Sequence, residues 1–195
     1  LGTQAAPVNS YTMNWGVNVS GAPAGTLVAT TFTSGVRWVE LRRDGAGSIT
    51  VRDQGTHAAT DVNGATGTNF WMPHIAQDAQ GNIALGYSES GTARNASLGW
   101  AGRTGAAATG TLNEGSAVVH SGTGVQLATN SRWGDYSSMS IDPVDDCTFF
   151  YHNEYRLLAN DNVSTGFAWN TRIATFKYPT CTAGPRGTLN VTVTS

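Results

Sequence analysis

The stretch SSMSIDPVDDCTFFYHNEY, residues 137–155, indicates the fold class of this chain. Apolar residues alternate with serines as far as Ile141, an Asp-Pro pair follows at Asp142, and a run rich in aromatic residues starts at Cys147. Alternation with a period of two, an Asp that opens a turn and aromatic enrichment are typical of two β-strands joined by a short loop. The segment therefore predicts an antiparallel hairpin.

The same order of strand and turn recurs along the chain. PHIAQDAQ (73–80) and GNIALGYSES (81–90) repeat it, which puts Asp78 and Asp142 in equivalent places. Further strand-like runs extend the units and are GTLVATTFTS (25–34), VRWVELRR (36–43), SITVRDQ (48–54), ASLGWAGR (96–103), SAVVHSG (116–122) and TRIATFKY (171–178). Recurring units of about four antiparallel strands predict an all-β, antiparallel β-propeller-like fold with about three blade units.

The same strand pattern has an alternative interpretation as a β-sandwich, because short strands also recur in that architecture. Three blades cannot close a ring without leaving strand edges and apolar faces uncovered. We therefore expect a partial propeller, which the remaining propeller half or another chain completes.

The composition excludes several classes of function. Of the 195 residues, 12% are charged and 24 are glycine, which suits one domain of short strands and many turns. The net charge is −2 and no basic run exceeds Arg42-Arg43, so no nucleic acid partner is expected. No apolar stretch approaches the ~20 residues that span a bilayer, so we expect no membrane insertion. We assign residues 1–182 to the blades and residues 183–195 to a linker or to the first strand of a following domain.

Cys147 and Cys181 are the only cysteines of the chain. Both flank strand-like runs and neither belongs to a CxxC or Cys/His pattern, which favours a disulfide over a metal site. Closing a loop of this size would stabilise the fold by about 3–4 kcal/mol on the chain-entropy model. Because disulfides persist in oxidising compartments, the pair predicts a secreted, extracellular protein.

Four segments of the chain carry a family resemblance. They are RWVELRRDG with the following VRDQGTH, FWMPHIAQDAQGNIALGYSESGT, RWGDYSSMSIDPVDDCTFFYHNEY and NTRIATFKYPTC. In these segments the chain resembles the C-terminal half of secreted bacterial sialidase-like (BNR-type) β-propeller proteins. The resemblance implies a propeller that continues in an N-terminal half, within a larger exported chain. The standard Asp-box, Ser-x-Asp-x-Gly-x-Thr-Trp, is absent, and AQDAQGN keeps only its Asp and Gly.

Two short segments are candidates for a ligand-binding rim. FWMPH (70–74) and RWGDY (132–136) each precede the first strand of a unit, and such loops open onto the central channel of a propeller. The candidate binding residues are Trp71, His74, Arg132, Trp133, Asp135 and Tyr136. The alternative is structural, with Trp133 and Tyr136 packed between blades. We expect an exported, non-enzymatic module that binds glycan or protein, or that has a structural role in a cell-surface or extracellular assembly.

The alternative function is a sialidase-like glycoside hydrolase. Sialidase chemistry uses arginines that bind the substrate carboxylate, a Tyr/Glu pair and an acidic proton donor. The candidates for these roles are Asp135, Glu154, Arg132 and Arg172. A hydrolase needs two carboxylates about 5–10 Å apart on either side of the scissile bond. The missing Asp-box and the lack of a third well-placed arginine favour the binding module.

A cluster of acids raises the question of a metal ion. Asp142, Asp145 and Asp146 could hold Ca²⁺, a hard ion that takes clustered oxygen ligands. However, Pro143 fixes a turn that an Asp naturally opens, and the spacing matches no EF-hand loop. No cofactor is therefore expected, with Ca²⁺ as the alternative.

Overall fold

The computed structural model describes residues 8–15, 33–58, 68–91, 93–126, 133, 136–158 and 169–182. In these ranges the chain is all-β, with ten strands and no α-helix. The strands are β1 (Val8–Trp15), β2 (Thr33–Arg43), β3 (Ile49–His57), β4 (Asn69–Gln77), β5 (Ile83–Gly91), β6 (Arg94–Arg103), β7 (Glu114–His120), β8 (Ser138–Ile141), β9 (Phe149–Tyr155) and β10 (Asn170–Phe176). Nothing in these ranges forms a helix long and apolar enough to cross a membrane.

The strands form three antiparallel sheets that follow one another along the chain. The first sheet contains β1 to β3, the second β4 to β7 and the third β8 to β10, and strands adjacent in sequence are adjacent in each sheet. β1 and β2 contact β4, whereas β8 and β9 contact strands of the second sheet from the other side. The second sheet therefore lies between the other two. We call its contact with the first sheet the first interface, and its contact with the third sheet the second interface.

The strand-like runs of the sequence are confirmed wherever the structure describes them. The runs that correspond to β2 through β10 are, in order, 36–43, 48–54, 73–80, 81–90, 96–103, 116–122, 137–144, 146–155 and 171–178. The run at 25–34 differs, because its last two residues already belong to β2 and the others lie outside the described ranges. The place beside β2 is taken by β1, which the sequence did not predict. The expected linker at 183–195 also lies outside the described ranges.

Two hydrophobic cores lie on opposite faces of the second sheet. The core at the first interface contains Val36, Trp38, Phe70, Ile75, Ile83, Leu85, Tyr87 and Ala101. The core at the second interface contains Ala84, Leu98, Met139, Cys147, Phe149, Tyr151, Tyr178 and Cys181. Successive side chains of a strand point to opposite faces, so β5 supplies Leu85 to one core and Ala84 to the other. Burial on both faces explains why the first five residues of β5, 83–87, contain no polar side chain other than the Tyr87 hydroxyl.

Tyrosine rings in these cores rest directly on glycines of the second sheet. A Cβ atom at Gly86 would lie 2.2 Å from the ring of Tyr151, and one at Gly99 would lie 2.4 Å from the ring of Tyr87. The Tyr151 hydroxyl also donates a hydrogen bond to the Tyr87 carbonyl at 3.0 Å. Tyr151 therefore ties the third sheet to the second through both its ring and its hydroxyl.

Aspartates close the hairpins, as the sequence predicted for Asp78 and Asp142. Asp78 follows β4, and its Oδ1 accepts two main-chain amides, both at 2.9 Å. Asp142 follows β8 and accepts one amide at 2.7 Å. Asp44, which the sequence did not single out, makes the same pair of 2.9 Å bonds in the first sheet. The turns after Asp44 and Asp78 need Gly47 and Gly81, whose φ angles are 92° and 79°.

An ion network holds the first interface together. The guanidinium of Arg103 lies 3.0 Å from a Glu40 oxygen and 3.1 Å from an Asp53 oxygen, and all three side chains are almost fully buried. Arg103 comes from the second sheet, and the two acids come from β2 and β3 of the first. Buried charges are tolerated when they are paired in this way, and removing one partner leaves an uncompensated charge. The network therefore fixes the two sheets in one arrangement.

The predicted disulfide is confirmed: Cys147, just before β9, is bonded to Cys181, just after β10. The bond closes a loop with a sequence separation of 34 residues. Reducing it, or replacing both cysteines by serine, should lower the free energy of unfolding by about 3–4 kcal/mol, because the unfolded chain gains entropy. Urea denaturation with and without reductant measures this difference. Two reactive thiols in the unfolded, unreduced protein would contradict the bond.

Replacing Gly86 by alanine should destabilise the second interface. The added methyl group would overlap the ring of Tyr151, which is fully buried and has no space to move. Overpacking of this kind costs about 1–3 kcal/mol, measurable by urea denaturation. Gly45→Ala is the matched control, because a Cβ there meets no atom within 4 Å. Equal losses of stability in the two variants would show that the Tyr151 contact does not constrain residue 86.

Candidate functional site

Strand β4 begins with an irregular segment, FWMPH (70–74). Its pairing with β5 shifts register between Trp71 and His74, which marks a β-bulge. Met72 in this bulge has a φ of 46°, a left-handed conformation that residues other than glycine rarely adopt. Bulges and strained backbone are frequent beside binding sites, because they re-aim neighbouring side chains. Met72 lies between Trp71 and His74, which are two of the candidate binding residues.

Three tryptophans meet beside this bulge, at one end of the second interface. The ring centroids of Trp71 and Trp133 are 5.8 Å apart in an edge-to-face arrangement, and those of Trp133 and Trp169 are 6.4 Å apart. Trp71 lies in β4, whereas Trp133 and Trp169 lie in the segments that lead into β8 and β10. All three are partly exposed. We call these residues the tryptophan cluster.

The indole nitrogens of the cluster have different partners. Trp133 Nε1 donates to the Ser88 hydroxyl at 3.3 Å, and Trp169 Nε1 donates to the Gln126 side-chain oxygen at 2.7 Å. The indole N–H groups of Trp133 and Trp169 therefore both donate to uncharged side chains of the protein.

Ser88 belongs to a buried chain of hydrogen bonds that leads from the cluster into the core. Its hydroxyl donates to Asn153 Oδ1 at 3.3 Å, and Asn153 Nδ2 donates to the Tyr151 hydroxyl at 2.8 Å. Tyr151 in turn donates to the carbonyl of Tyr87. Burial raises the pKa of Tyr151, so its hydroxyl keeps the proton that it donates. The tryptophan cluster is therefore connected to the contact that joins the second and third sheets.

The structure brings together two of the six residues predicted to form a binding rim, Trp71 and Trp133. Tyr136 is 84% exposed, so the structural alternative, in which it packs between blades, is wrong for this residue. The Tyr136 side chain belongs to the exposed surface and not to a core. Arg132 and Asp135 lie outside the described residues.

His74, the sixth candidate, connects two strands. Its Nδ1 accepts a hydrogen bond from the main-chain amide of Met139 at 2.9 Å, which links β4 to β8. Burial lowers the pKa of His74, which favours the neutral ring. A proton on Nδ1 would remove the lone pair that this bond requires. His74 thus joins strand β4 of the second sheet to strand β8 of the third.

Two of the four residues of the predicted hydrolase site, Glu154 and Arg172, lie in the described part of the third sheet. In the pairing of β9 with β10, Arg172 stands opposite Asn153 and Thr171 stands opposite Glu154. Directly opposed residues of antiparallel strands share a face, and successive residues alternate between faces. Arg172 therefore lies on the face of the third sheet that carries Asn153, and Glu154 lies on the other face. The other two candidates, Arg132 and Asp135, lie outside the described residues.

Two acids of the loop between β8 and β9 accept main-chain amides of that loop and so stabilise its turn. Asp145 Oδ1 accepts the main-chain amides of Cys147 and Thr148 at 2.9 and 2.8 Å, and these bonds hold the pKa of the Asp145 carboxyl below its usual range. The neighbouring Asp142 accepts an amide of the same loop. Among the described residues, no three His, Cys, Asp or Glu side chains are grouped so that they could hold a metal ion. The Ca²⁺ alternative for Asp142, Asp145 and Asp146 thus gains no support from the geometry.

Trp169 is the functional candidate that the sequence analysis missed. Its signal resembles that of the two segments it did select, because each places a tryptophan in or just before a strand that begins at the same end of the sheets. The segment leading into β10 starts the last strand of its sheet, however, whereas the two candidate segments belong to the first strands of theirs. Proximity to Trp133 depends on the return path of the chain, which the sequence does not reveal.

Comparisons of the chain with protein-family models, curated proteins and solved structures gave no significant match. The resemblance to sialidase-like propellers therefore stays a prediction from the sequence. The candidate function rests on the geometry of the tryptophan cluster.

Acidification should weaken the link between β4 and β8 through His74. Burial lowers its folded-state pKa below 6.5, so its contribution to stability is complete above about pH 6.5 and is lost as the pH falls through the folded-state pKa. Thermal melting of the wild type and of His74→Asn, from about pH 8 to pH 5, measures this contribution. Asparagine carries an acceptor oxygen at the same position as Nδ1 and does not titrate. The wild type should lose more stability than the variant, and identical pH profiles would contradict this role.

Proposed function

We propose that the chain is a non-enzymatic module of an exported protein and that its tryptophan cluster binds carbohydrate. The observation that carries the proposal is the contact of three partly exposed indoles supplied by two different sheets. Aromatic side chains grouped at the surface with a few oriented polar groups are typical of ligand sites. Pyranose rings carry flat arrays of C–H groups that pack on indole faces, while their hydroxyls reach polar groups at the ring edges.

The spacing of the rings favours a platform over an aromatic cage. Centroid distances of 5.8 and 6.4 Å correspond to indoles in direct contact with each other. A cage for a quaternary ammonium must instead hold its rings apart, so that the cation fits within about 6 Å of each face. Adjacent rings of the cluster have no such gap between them. The ring planes are inclined by 78° and 60°, so a pyranose would pack on the face of one indole and meet the edge of its neighbour. We call this surface the platform.

We further propose that the three sheets are successive blades of a partial β-propeller. In support, the sheets follow one another in chain order, and their first strands, β1, β4 and β8, contact each other in sequence. Inner strands of neighbouring blades do the same around a central channel. The cluster would then lie at the mouth of that channel. The remaining propeller half or another chain would complete the ring.

Export is compatible with the structure, and a hydrolase has less support. The Cys147–Cys181 bond fits an oxidising compartment. Glycoside hydrolysis needs two carboxylates on either side of one bond. Glu154 and Arg172 lie on opposite faces of the third sheet, which does not suit a shared substrate. A glycan-binding module, alone or as part of an extracellular assembly, requires only the cluster.

The chain should bind neutral glycans on an array and cellohexaose in solution, because glucose units with equatorial substituents expose flat C–H faces. Trp71→Ala should weaken binding at least about tenfold, as loss of an aromatic anchor does in other interfaces. Isothermal titration calorimetry with cellohexaose measures the affinity, and circular dichroism verifies that the variant is folded.

Phe150→Ala is the matched control, because this aromatic side chain is 40% exposed on the outer face of the third sheet, away from the cluster. It should leave the affinity unchanged. Hydrolysis of sialosides or aryl glycosides that disappears in Glu154→Gln would refute the non-enzymatic assignment. Binding of choline without binding of any glycan would refute the platform.

A further inference from the structure

Trp133 is tied to the core by hydrogen bonds that all run in one direction. Each member of the chain donates to the next, from the Trp133 indole through Ser88, Asn153 and Tyr151 to the carbonyl of Tyr87. The three side chains between the indole and the carbonyl are 0%, 2% and 0% exposed. Buried polar groups that are fully paired specify one arrangement of the side chains around them. This series of hydrogen bonds therefore fixes the orientation of the Trp133 ring from within the core.

The direction of the chain is fixed at its inner end. A carbonyl only accepts, so the Tyr151 hydroxyl must donate inwards, and its oxygen accepts from the Asn153 amide group. Asn153 cannot be turned round, because the main-chain N–H of Glu154 donates to its Oδ1 at 2.8 Å. Oδ1 therefore also accepts from Ser88, whose oxygen keeps a lone pair for the indole N–H. Because the Ser88 proton is used in the bond to Asn153, the Ser88 oxygen can only accept from the Trp133 indole N–H.

We infer that Ser88 is a positioning residue of the carbohydrate site, which holds the Trp133 ring in place so that the platform is preformed for a neutral pyranose. The choice of ligand rests on the proposed function, whereas the position of the ring rests on the hydrogen bonds alone. A ring that is fixed beforehand loses little rotamer freedom when a ligand binds. Affinity is consequently higher than it would be with a mobile indole.

The neutral class of ligand follows from the groups that surround the ring. Ser88, Asn153 and Tyr151 are uncharged, and burial keeps Tyr151 protonated by raising its pKa. The described acceptor of the Trp169 indole, Gln126, is uncharged as well. These hydroxyl and amide groups match the hydroxyls of a sugar and do not include a cation that would pair with a carboxylate. On this basis we expect cellohexaose to bind better than 3′-sialyllactose.

A double-mutant cycle tests the inference. Ser88→Ala removes the acceptor, and Trp133→Phe removes the donor while keeping an aromatic ring. Each variant should lower the affinity for cellohexaose by about two- to tenfold, the range for one hydrogen bond, and the double variant should bind no worse than the weaker single one. Independently of any ligand, the indole N–H resonance of Trp133, assigned by its loss in Trp133→Phe, should shift and exchange faster with solvent in Ser88→Ala. Ser90→Ala, two residues along the same face of β5, is the control and should change neither quantity.

The outcomes separate this inference from the proposed function. An unmoved Trp133 resonance in Ser88→Ala would overturn the positioning role whatever the ligand, and so would additive losses of affinity in the double variant. If cellohexaose does not bind even the wild type while the resonance still moves with Ser88, the proposed carbohydrate is wrong and the positioning of Trp133 stands. A drop in melting temperature in Ser88→Ala as large as that in Gly86→Ala would assign Ser88 to the fold and contradict a role specific to the site.

Discussion

The contact between the ring of Tyr151 and the bare backbone of Gly86 sets the distance between the second and third sheets. A side chain at residue 86 would not fit, so β9 approaches β5 closely enough for the tyrosine hydroxyl to reach a main-chain carbonyl. Tyr178 repeats the arrangement: its hydroxyl donates to the Ile83 carbonyl at 2.9 Å and occupies the space where Gly102 would carry a Cβ. Because protein interiors are close-packed, such contacts leave little freedom in how the two sheets meet.

The two interfaces of the second sheet are held by different chemistry. The first contains a buried ion network, with Arg103 between two acids of the first sheet, and the second contains hydrogen bonds that tyrosine hydroxyls donate to main-chain carbonyls. The second interface is also the one that carries the tryptophan cluster, and its hydrogen bonds extend to Trp133. The surface aromatic and the packing of the sheets are therefore parts of one structure.

Much of this fold was predictable from the sequence, because strand alternation and Asp turns are local signals. The runs around β5 and β9 and the turns after Asp78 and Asp142 were recognised for that reason. β1 was missed because its eight residues carry no adjoining turn signal of the kind that marks the other hairpins. The site was predictable in part: Trp71 and Trp133 precede or open recognisable strands, but their contact depends on a bulge at Met72 and on how two sheets pack. The faces of Glu154 and Arg172 depend on register, which composition and spacing do not determine.

Strand β5 is buried on both faces and contributes to both hydrophobic cores. Opening the first or the third sheet would expose one core, whereas opening β5 would expose both at once. Partial unfolding should therefore proceed from the outer sheets inwards, with the amides of β5 among the last to exchange with solvent. Since Ser88 and Gly86 are residues of this same strand, the hydrogen-bond acceptor of Trp133 should lie in the segment of the described chain that opens least. A tryptophan cluster supported in this way should keep its arrangement while the sheets around it fluctuate.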